Sequence, residues 1–187
     1  MAEPTEETLR GPRIVLASVG VEAAEALEPT YNGDPRFGAW SGAPAALTLD
    51  QIQQVIAGGV AAPGGRVWRI AHPADGVVGV AQTALPPPPD MAWIALLLIR
   101  RAFQGRGYGA EAATLLEEYL IAQPGVARIG LAVLTVNAPA LAFWERRGYR
   151  REGLPHQDAQ GHQVCRFIRP LSVAIDIPPS PDQGRKP

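Results

Sequence analysis

The sequence predicts a mixed α/β domain in which helices flank a central sheet. Strand-like and helix-like segments are interleaved along the 187 residues. The segment 91–99 (MAWIALLLI) is apolar at every position, so we expect a strand buried on both faces in mid-sheet. This strand leads through a glycine-rich turn directly into a helical pattern.

The first part of the chain predicts one strand and two helices. Residues 13–19 (RIVLASV) predict a strand, and residues 21–31 (VEAAEALEPTY) predict a helix. A loop with glycine, proline and aromatic residues follows at 32–44 (NGDPRFGAWSGAP). The second helix begins after Thr48, because threonine is a favoured N-cap residue.

A predicted hairpin and a stiff connection precede the apolar strand. Residues 66–72 (RVWRIAH) and 76–85 (GVVGVAQTAL) predict its two strands, joined around PADG. The four prolines at 86–89 predict an extended connection, for which a rigid loop is favoured over a proline-dependent partner site.

Two further helices and two further strands follow the apolar strand. The helix at 107–122 has apolar residues at i, i+3 and i+4, and the segment 128–136 (RIGLAVLTV) predicts a strand. The short helix at 138–147 ends before Gly148, a suitable C′ residue, and 164–171 (VCRFIRPL) predicts the last strand.

These elements predict one domain at residues 10–171. Residues 1–9 are expected to form a flexible tail, and the proline-rich residues 172–187 a disordered one.

Composition excludes several classes of function. A net charge of −1 argues against nucleic-acid and membrane partners, and the longest apolar run of nine residues is too short to span a bilayer. The acidic N-terminus is unlike a signal peptide, and a single cysteine permits no internal disulfide. We therefore expect a cytoplasmic protein.

The glycine-rich turn at 104–110 (QGRGYGA) predicts a phosphate-binding site. The first N–H groups of a helix have no partner within it, and glycines let an anion approach the backbone. A Walker loop would need Gly-Lys-Ser/Thr, and the dinucleotide fingerprint would need a third glycine one position later. Both of these alternatives fail on spacing.

Two motifs carry a resemblance to a known family. Gln104-x-x-Gly107-x-Gly109 resembles the acetyl-coenzyme A motif of the GNAT N-acetyltransferase superfamily. A second block matches its N-x-x-A-x-x-F-[YW]-x-x-x-G-[FY] pattern at Asn137, Ala140, Phe143, Trp144, Gly148 and Tyr149. With the segment 11–18 (GPRIVLAS), the chain is most similar to the subgroup of ribosomal-protein alanine N-acetyltransferases, over residues 10–171.

The resemblance implies a GNAT fold, in which two central parallel strands splay at the cofactor site. The acetyl-pantetheine arm of acetyl-CoA would lie between them, bonded to the backbone of Leu97, Leu98 and Ile99. Asn137 would cap a helix and touch the cofactor, while Trp144 would line the channel or pack in the core. The pyrophosphate would be held by backbone N–H groups of Gln104, Gly105, Arg106, Gly107, Tyr108, Gly109 and Ala110.

Catalytic residues stay unassigned, because the chain departs twice from the family pattern. Trp144 stands where many members have a general-acid tyrosine, and the apolar strand lacks the glutamate that serves as base. The remaining candidates for a base are Glu28, Tyr31, Asp34 and Asp90, or no base at all.

The acceptor site is expected to contain an apolar wall of Tyr31, Phe37 and Trp40. His72, His156 and His162 lack metal-like spacing and fit loops or strand ends, so no metal site is expected. Dimers are common in the family, which leaves a homodimer open.

Two functions remain open at this stage. The first is acetyl transfer from acetyl-CoA to a primary amine of a small molecule or of a protein or peptide N-terminus. The second is a catalytically silent module that binds or senses acyl-CoA, which the missing tyrosine and glutamate favour.

Overall fold

The computed structural model describes residues 7–36, 38 and 46–171. Its strands are β1 (Thr8–Arg10), β2 (Val15–Val19), β3 (Arg66–His72), β4 (Gly76–Ala84), β5 (Met91–Ile99), β6 (Arg128–Leu134), β7 (Arg150–Arg151), β8 (His156–Gln157) and β9 (Gln163–Pro170). Its helices are α1 (Ala24–Tyr31), α2 (Leu49–Ala61), α3 (Tyr108–Ile121) and α4 (Ala138–Arg146), with 3-10 turns at Val21–Ala23 and Arg101–Phe103.

All of these strands form one mixed sheet. Its order is β1-β2-β3-β4-β5-β6-β9-β7, and β8 also pairs with β9. Every pairing is antiparallel except that of β5 with β6, which α3 connects as a crossover helix. The predicted mixed sheet flanked by helices is therefore confirmed.

Hydrophobic side chains cover both faces of the sheet. On β3, Val67 packs with the cluster under α1 and α2, whereas Trp68 and Ile70 pack with the larger cluster under α3 and α4. The fully buried indole of Trp68 donates to Thr83 Oγ1 at 2.9 Å and meets the Tyr119 ring edge-on at 4.9 Å. The largest core side chain is thus buried with its polar atom satisfied.

Local signals set several element ends as predicted. Thr48 begins α2 through a capping box with Gln51, and Gly148 follows α4 with a φ of 85°. Two boundaries need correction. The strand β1 begins at Thr8, inside the predicted tail, because it pairs with β2; the predicted helix at 21–31 starts as a 3-10 turn.

The apolar strand lies in mid-sheet as predicted, but it is not buried on both faces along its whole length. Ala92 and Ile94 are buried, whereas Ala95 is exposed and residues 96–98 are half-buried. The reason is that β6 pairs with β5 only as far as Trp93 and does not cover the rest of the strand. None of the described helices combines the length and apolar character that crossing a bilayer would need.

A buried carboxylate joins α3 to the last strands. Glu117 is 5% exposed and accepts from Arg147 at 2.8 Å and from Arg169 at 2.7 Å. Tyr149 donates its hydroxyl to the same carboxylate at 3.2 Å, and burial and this negative charge raise the pKa of Tyr149. One acidic side chain therefore ties α3 to β9 and to the segment after α4.

We expect Glu117→Gln to lower the free energy of unfolding by about 2 to 3 kcal/mol, because Arg147 and the more exposed Arg169 lose the buried counter-charge that they share. Urea unfolding at neutral pH measures this change. Glu118→Gln is the matched control, because its side chain is the exposed neighbour on the same helix. Equal losses in the two variants would contradict the role assigned to Glu117.

A second carboxylate fastens β2 to the first turn of α3. Glu111 accepts from the backbone N–H groups of Arg13 at 2.8 Å and Ile14 at 3.1 Å, and from Arg13 Nε at 2.8 Å. Burial opposes its ionisation, but these donors outweigh burial and lower the pKa of Glu111. Arg13 also donates to the carbonyl of Arg106 at 2.9 Å, so this contact holds the glycine-rich turn.

Glu111→Gln should destabilise the fold by about 1 to 2 kcal/mol at neutral pH, since half-exposed Arg13 limits the ion-pair part. The folded-state pKa of Glu111 is lowered, so its contribution is present above the unfolded-state pKa and disappears as the pH falls through the folded-state value. Urea unfolding of both proteins from pH about 7 to about 3 should show their difference shrinking in acid. A difference that grows on acidification would refute this assignment.

Candidate active site

The candidate site begins where the two parallel strands part. β5 and β6 pair at three positions, from Met91 opposite Arg128 to Trp93 opposite Gly130. Beyond them β5 stays with β4 and β6 stays with β9. The predicted splay of the central parallel strands is therefore confirmed.

A bulge and a glycine explain why the strands part there. The register between β4 and β5 passes from Thr83–Ile94 to Gln82–Leu96, which leaves Ala95 as the extra residue. Such a bulge bends its strand and increases its twist. At the last pair, a Cβ on Gly130 would lie 3.0 Å from Met91 Sδ and 3.3 Å from the Trp93 ring, so glycine makes room for both side chains where the gap opens.

The gap is a cavity of about 770 Å³. One wall is β5 from residue 94 to 99, and the opposite wall is β6 from 131 to 134. The glycine-rich turn closes the β5 end, and α4 with the turn between β8 and β9 completes the β6 side. The two walls are mostly apolar, while backbone and charged groups lie at the rim.

The glycine-rich turn presents unused backbone donors to this cavity. Gly105 and Gly107 have φ values of 77° and 85°, which L side chains rarely adopt, and Gly107 is the N-cap of α3. Within residues 7–36, 38 and 46–171, the N–H groups of residues 105–110 have no acceptor. These donors and the helix N-terminus fit a phosphate or diphosphate group.

Gly109 differs from Gly105 and Gly107 in its backbone conformation. Its φ lies outside the left-handed region, and an added Cβ would meet only Ile99 Cγ1, at an ordinary 3.5 Å. The fold therefore requires glycine at 105 and 107, whereas at 109 glycine leaves the cavity wall open beside the turn amides.

A polar network ties the end of β5 to the segment after α1. Gln104 donates through Nε2 to the carbonyl of Ile99 at 2.8 Å and accepts from Arg36 at 3.0 Å. Arg36 is paired with Asp34, a cavity-lining carboxylate whose pKa is lowered by that guanidinium. The side chain of Gln104 is thus hydrogen-bonded within the protein. The backbone N–H groups that are left for a ligand are those of residues 105–110.

The α4 wall contains two residues of the second motif. Asn137 Oδ1 accepts from the N–H of Ala140 at 3.2 Å, which caps α4, and the residue also lines the cavity. Trp144 lines it too; the residue is 6% exposed, and its ring packs edge-on against Phe143 and Tyr149. Both alternatives given for Trp144, core packing and channel lining, therefore describe its position.

Most of the sequence-predicted cofactor residues line the cavity, and two do not. Leu97, Leu98, Ile99, Gly105, Gly107, Gly109 and Ala110 line it together with Gln104, Asn137 and Trp144. Arg106 points to Asp75 at 3.6 Å, and Tyr108 donates to the same carboxylate at 3.0 Å. These two side chains brace the turn against the β3–β4 hairpin, and their backbone N–H groups remain available.

The residues that the sequence offered as a general base differ in whether they line the cavity. Asp34 lines the cavity but is neutralised by Arg36. Asp90 pairs with Arg128 at 2.6 Å, at the closed end of β5. Glu28 accepts from Asn32 on α1, away from the cavity lining.

The predicted acceptor wall is only partly described. Tyr31 is 4% exposed in the core under α2, outside the described cavity lining, and burial raises its pKa to about 12. Phe37 and Trp40 lie outside the described residues.

Several lining residues were not predicted from the sequence, and three of them have polar side chains on the α4 and β9 side. Arg146, at the end of α4, and Asp158 and His162, in the turn between β8 and β9, all border the cavity. The segment DAQGH (158–162) has the aspartate and glycine of a tight turn, and that signal would have predicted a turn there but not its place beside the cavity.

Comparisons with known proteins agree with this geometry. The model of the Acetyltransferase (GNAT) family matches residues 28–149. No curated protein matches the chain. A crystal structure of an acetyltransferase from Thermus thermophilus has 28% identity and a TM-score of 0.70, covering 85% of this chain and 97% of that chain.

Two solved structures with coenzyme A share the fold. The aminoglycoside acetyltransferase AAC(6')-Ib has 21% identity and a TM-score of 0.69, covering 84% of this chain and 94% of its own. RimL, a ribosomal L7/L12 alpha-N-protein acetyltransferase, has 15% identity and a TM-score of 0.73, covering 88% and 98%. Since the family model spans more than half of the 187 residues, the chain belongs to the GNAT acetyltransferase family.

Proposed function

We propose that the protein transfers the acetyl group of acetyl-CoA directly to a primary amine, in a ternary complex. The observation that carries this proposal is the opening between β5 and β6, which ends at a turn of unused backbone N–H groups. A diphosphate with a long, amide-bearing arm matches both parts of this site. The amine belongs to a small molecule or to a protein or peptide N-terminus.

The donor would be recognised mainly by backbone groups. Beyond Trp93, the edge of β5 that faces β6 has no strand partner within the described chain. The amides of a pantetheine arm can pair with this edge as an added strand would. Arg146 lies on the cavity rim and can pair with a phosphate.

Acetyl transfer needs positioning and carbonyl polarisation. Holding the amine and the thioester in one cavity removes most of the entropic cost of their encounter. A backbone N–H on the open edge of β5 would polarise the thioester carbonyl. Trp144 supplies an apolar wall there and no proton, while Tyr149 is committed to Glu117.

The acceptor would enter between the segment after α1 and the turn between β8 and β9. Both carry carboxylates on the cavity lining, Asp34 and Asp158, and carboxylates attract an ammonium group. The names of two structural neighbours, for an aminoglycoside and for a protein N-terminus, support a primary amine as the acceptor.

Gly109→Val should weaken coenzyme A binding about tenfold or more, since a branched side chain would cover the turn amides. Stability should be little changed, because the fold leaves room for a side chain at this helical position. Isothermal titration calorimetry with coenzyme A measures the effect. Gly58→Val is the matched control: it is a helical glycine on the exposed side of α2 with nothing within 4 Å. Unchanged affinity in Gly109→Val would remove the turn from the site.

We expect free thiol to be released when the protein and acetyl-CoA are mixed with a panel of primary amines. The panel should include an aminoglycoside and peptides with free or blocked N-termini. A blocked peptide should give only the background rate, because its nitrogen is no longer nucleophilic. Coenzyme A binding without turnover on any amine would instead establish the silent binding module.

A further inference from the structure

Among the described residues that line the cavity, His162 contributes the only imidazole. An amine acceptor arrives in water mostly as an ammonium ion, which cannot attack a carbonyl until it loses a proton. Imidazole is the side chain best suited to take up a proton near neutral pH. The position of His162 is therefore relevant to deprotonation of the acceptor, for which the two family motifs supply no residue here.

Asp158 fixes the orientation of this imidazole. Its Oδ1 accepts from the backbone N–H groups of His162 at 2.8 Å and Gln160 at 2.9 Å, and its Oδ2 lies 3.1 Å from His162 Nδ1. Burial raises the pKa of Asp158, but these donors outweigh burial and lower it overall. An ionised carboxylate only accepts, so the neutral form of this imidazole has its proton on Nδ1 and its lone pair on Nε2.

The hairpin holds the pair at the mouth of the cavity. The N–H of Thr135 donates to the carbonyl of Gln163 at 2.9 Å, and Val164 pairs with Leu134 at the end of β6. The turn between β8 and β9 thus lies at the free end of the β6 wall, whereas the glycine-rich turn lies at the end of β5. Within the described part of the chain, His162 Nε2 has no hydrogen-bond partner.

The other charged groups on the cavity lining do not compete for this role. Asp34 is held in its ionised form by Arg36, which makes it a weak base. Arg146, the charged group that the neighbouring α4 contributes, keeps its proton at all relevant pH values.

We propose that His162, oriented by Asp158, is the general base that deprotonates the acceptor ammonium; this rests on the function proposed above. Nε2 takes one proton from the ammonium nitrogen and later releases it to solvent. The neutral amine then forms the C–N bond as the C–S bond breaks, and the electron pair of that bond leaves on sulfur. A second proton passes from nitrogen through solvent to the thiolate. The products are an amide, coenzyme A and one released proton.

The test measures the activity of each variant on two acceptors of similar shape. One is an alkylamine, which is protonated at pH 7, and the other is a hydrazide, which is neutral at pH 7. His162→Gln should lower kcat for the alkylamine roughly a hundredfold and remove the acidic limb of its pH profile. With the hydrazide the loss should be much smaller, since no proton need be removed before attack. Asp158→Asn should lose part of the alkylamine activity, because the imidazole is no longer held in one tautomer.

Controls separate this role from a structural one. His156→Gln, an exposed histidine on β8 outside the described cavity lining, should keep wild-type activity. Coenzyme A affinity, measured by calorimetry, should be unchanged in His162→Gln, which also reports that the variant is folded. Asp158→Asn provides the second variant should His162→Gln fail to fold.

Wild-type kcat and pH profile in His162→Gln, or equal losses on the two acceptors, would overturn the assignment of the base while acetyl transfer itself stands. If Asp158→Asn were the variant used, full retention of alkylamine activity would overturn it equally. A wild-type protein that transfers acetyl to no amine would overturn both this inference and the proposed function.

Discussion

The constraint on which the site depends is the backbone hydrogen bonding of β5 after Trp93. A strand in mid-sheet normally uses its N–H and C=O groups to pair with two neighbours. Here the bulge at Ala95 turns β5 away from β6 after three residue pairs, so one edge faces a cavity. At the end of β5, the carbonyl of Ile99 accepts a hydrogen bond from the side chain of Gln104. The fold thus leaves backbone groups on one edge of β5 without a strand partner in the described chain.

The turn at the end of this edge is held from several sides before any ligand binds. Arg13 and Glu111 connect it to the start of β2. Asp75, in the β3–β4 hairpin, pairs with Arg106 and accepts a hydrogen bond from Tyr108. The turn also has two positive φ values, at Gly105 and Gly107, and both of these glycines line the cavity. Because these contacts are already formed, binding of a diphosphate carries little entropic cost for ordering the loop.

Features encoded by neighbouring residues could be predicted from the sequence. The glycine turn, the cap at Asn137 and the apolar strand each depend on a few consecutive residues, and all are present. Features that depend on distant pairing were missed. The strand β8 has two residues and exists only because β9 pairs with it, so neither the hairpin nor the place of His162 beside the cavity follows from local pattern. The length over which β5 stays buried likewise depends on where β6 departs.

The two sides of the cavity divide the work between backbone and side chains. The β5 side offers main-chain groups, so its fit to a donor depends on bulge, glycine and helix start rather than on particular side chains. Asp34 and His162 add side chains from two loops more than a hundred residues apart, Asp34 beside the end of β5 and His162 beside the end of β6. A tyrosine at position 144 or a glutamate on β5 is therefore not the only way to supply proton transfer. An imidazole on the second loop can serve the same opening without disturbing the donor side, because it replaces no backbone contact.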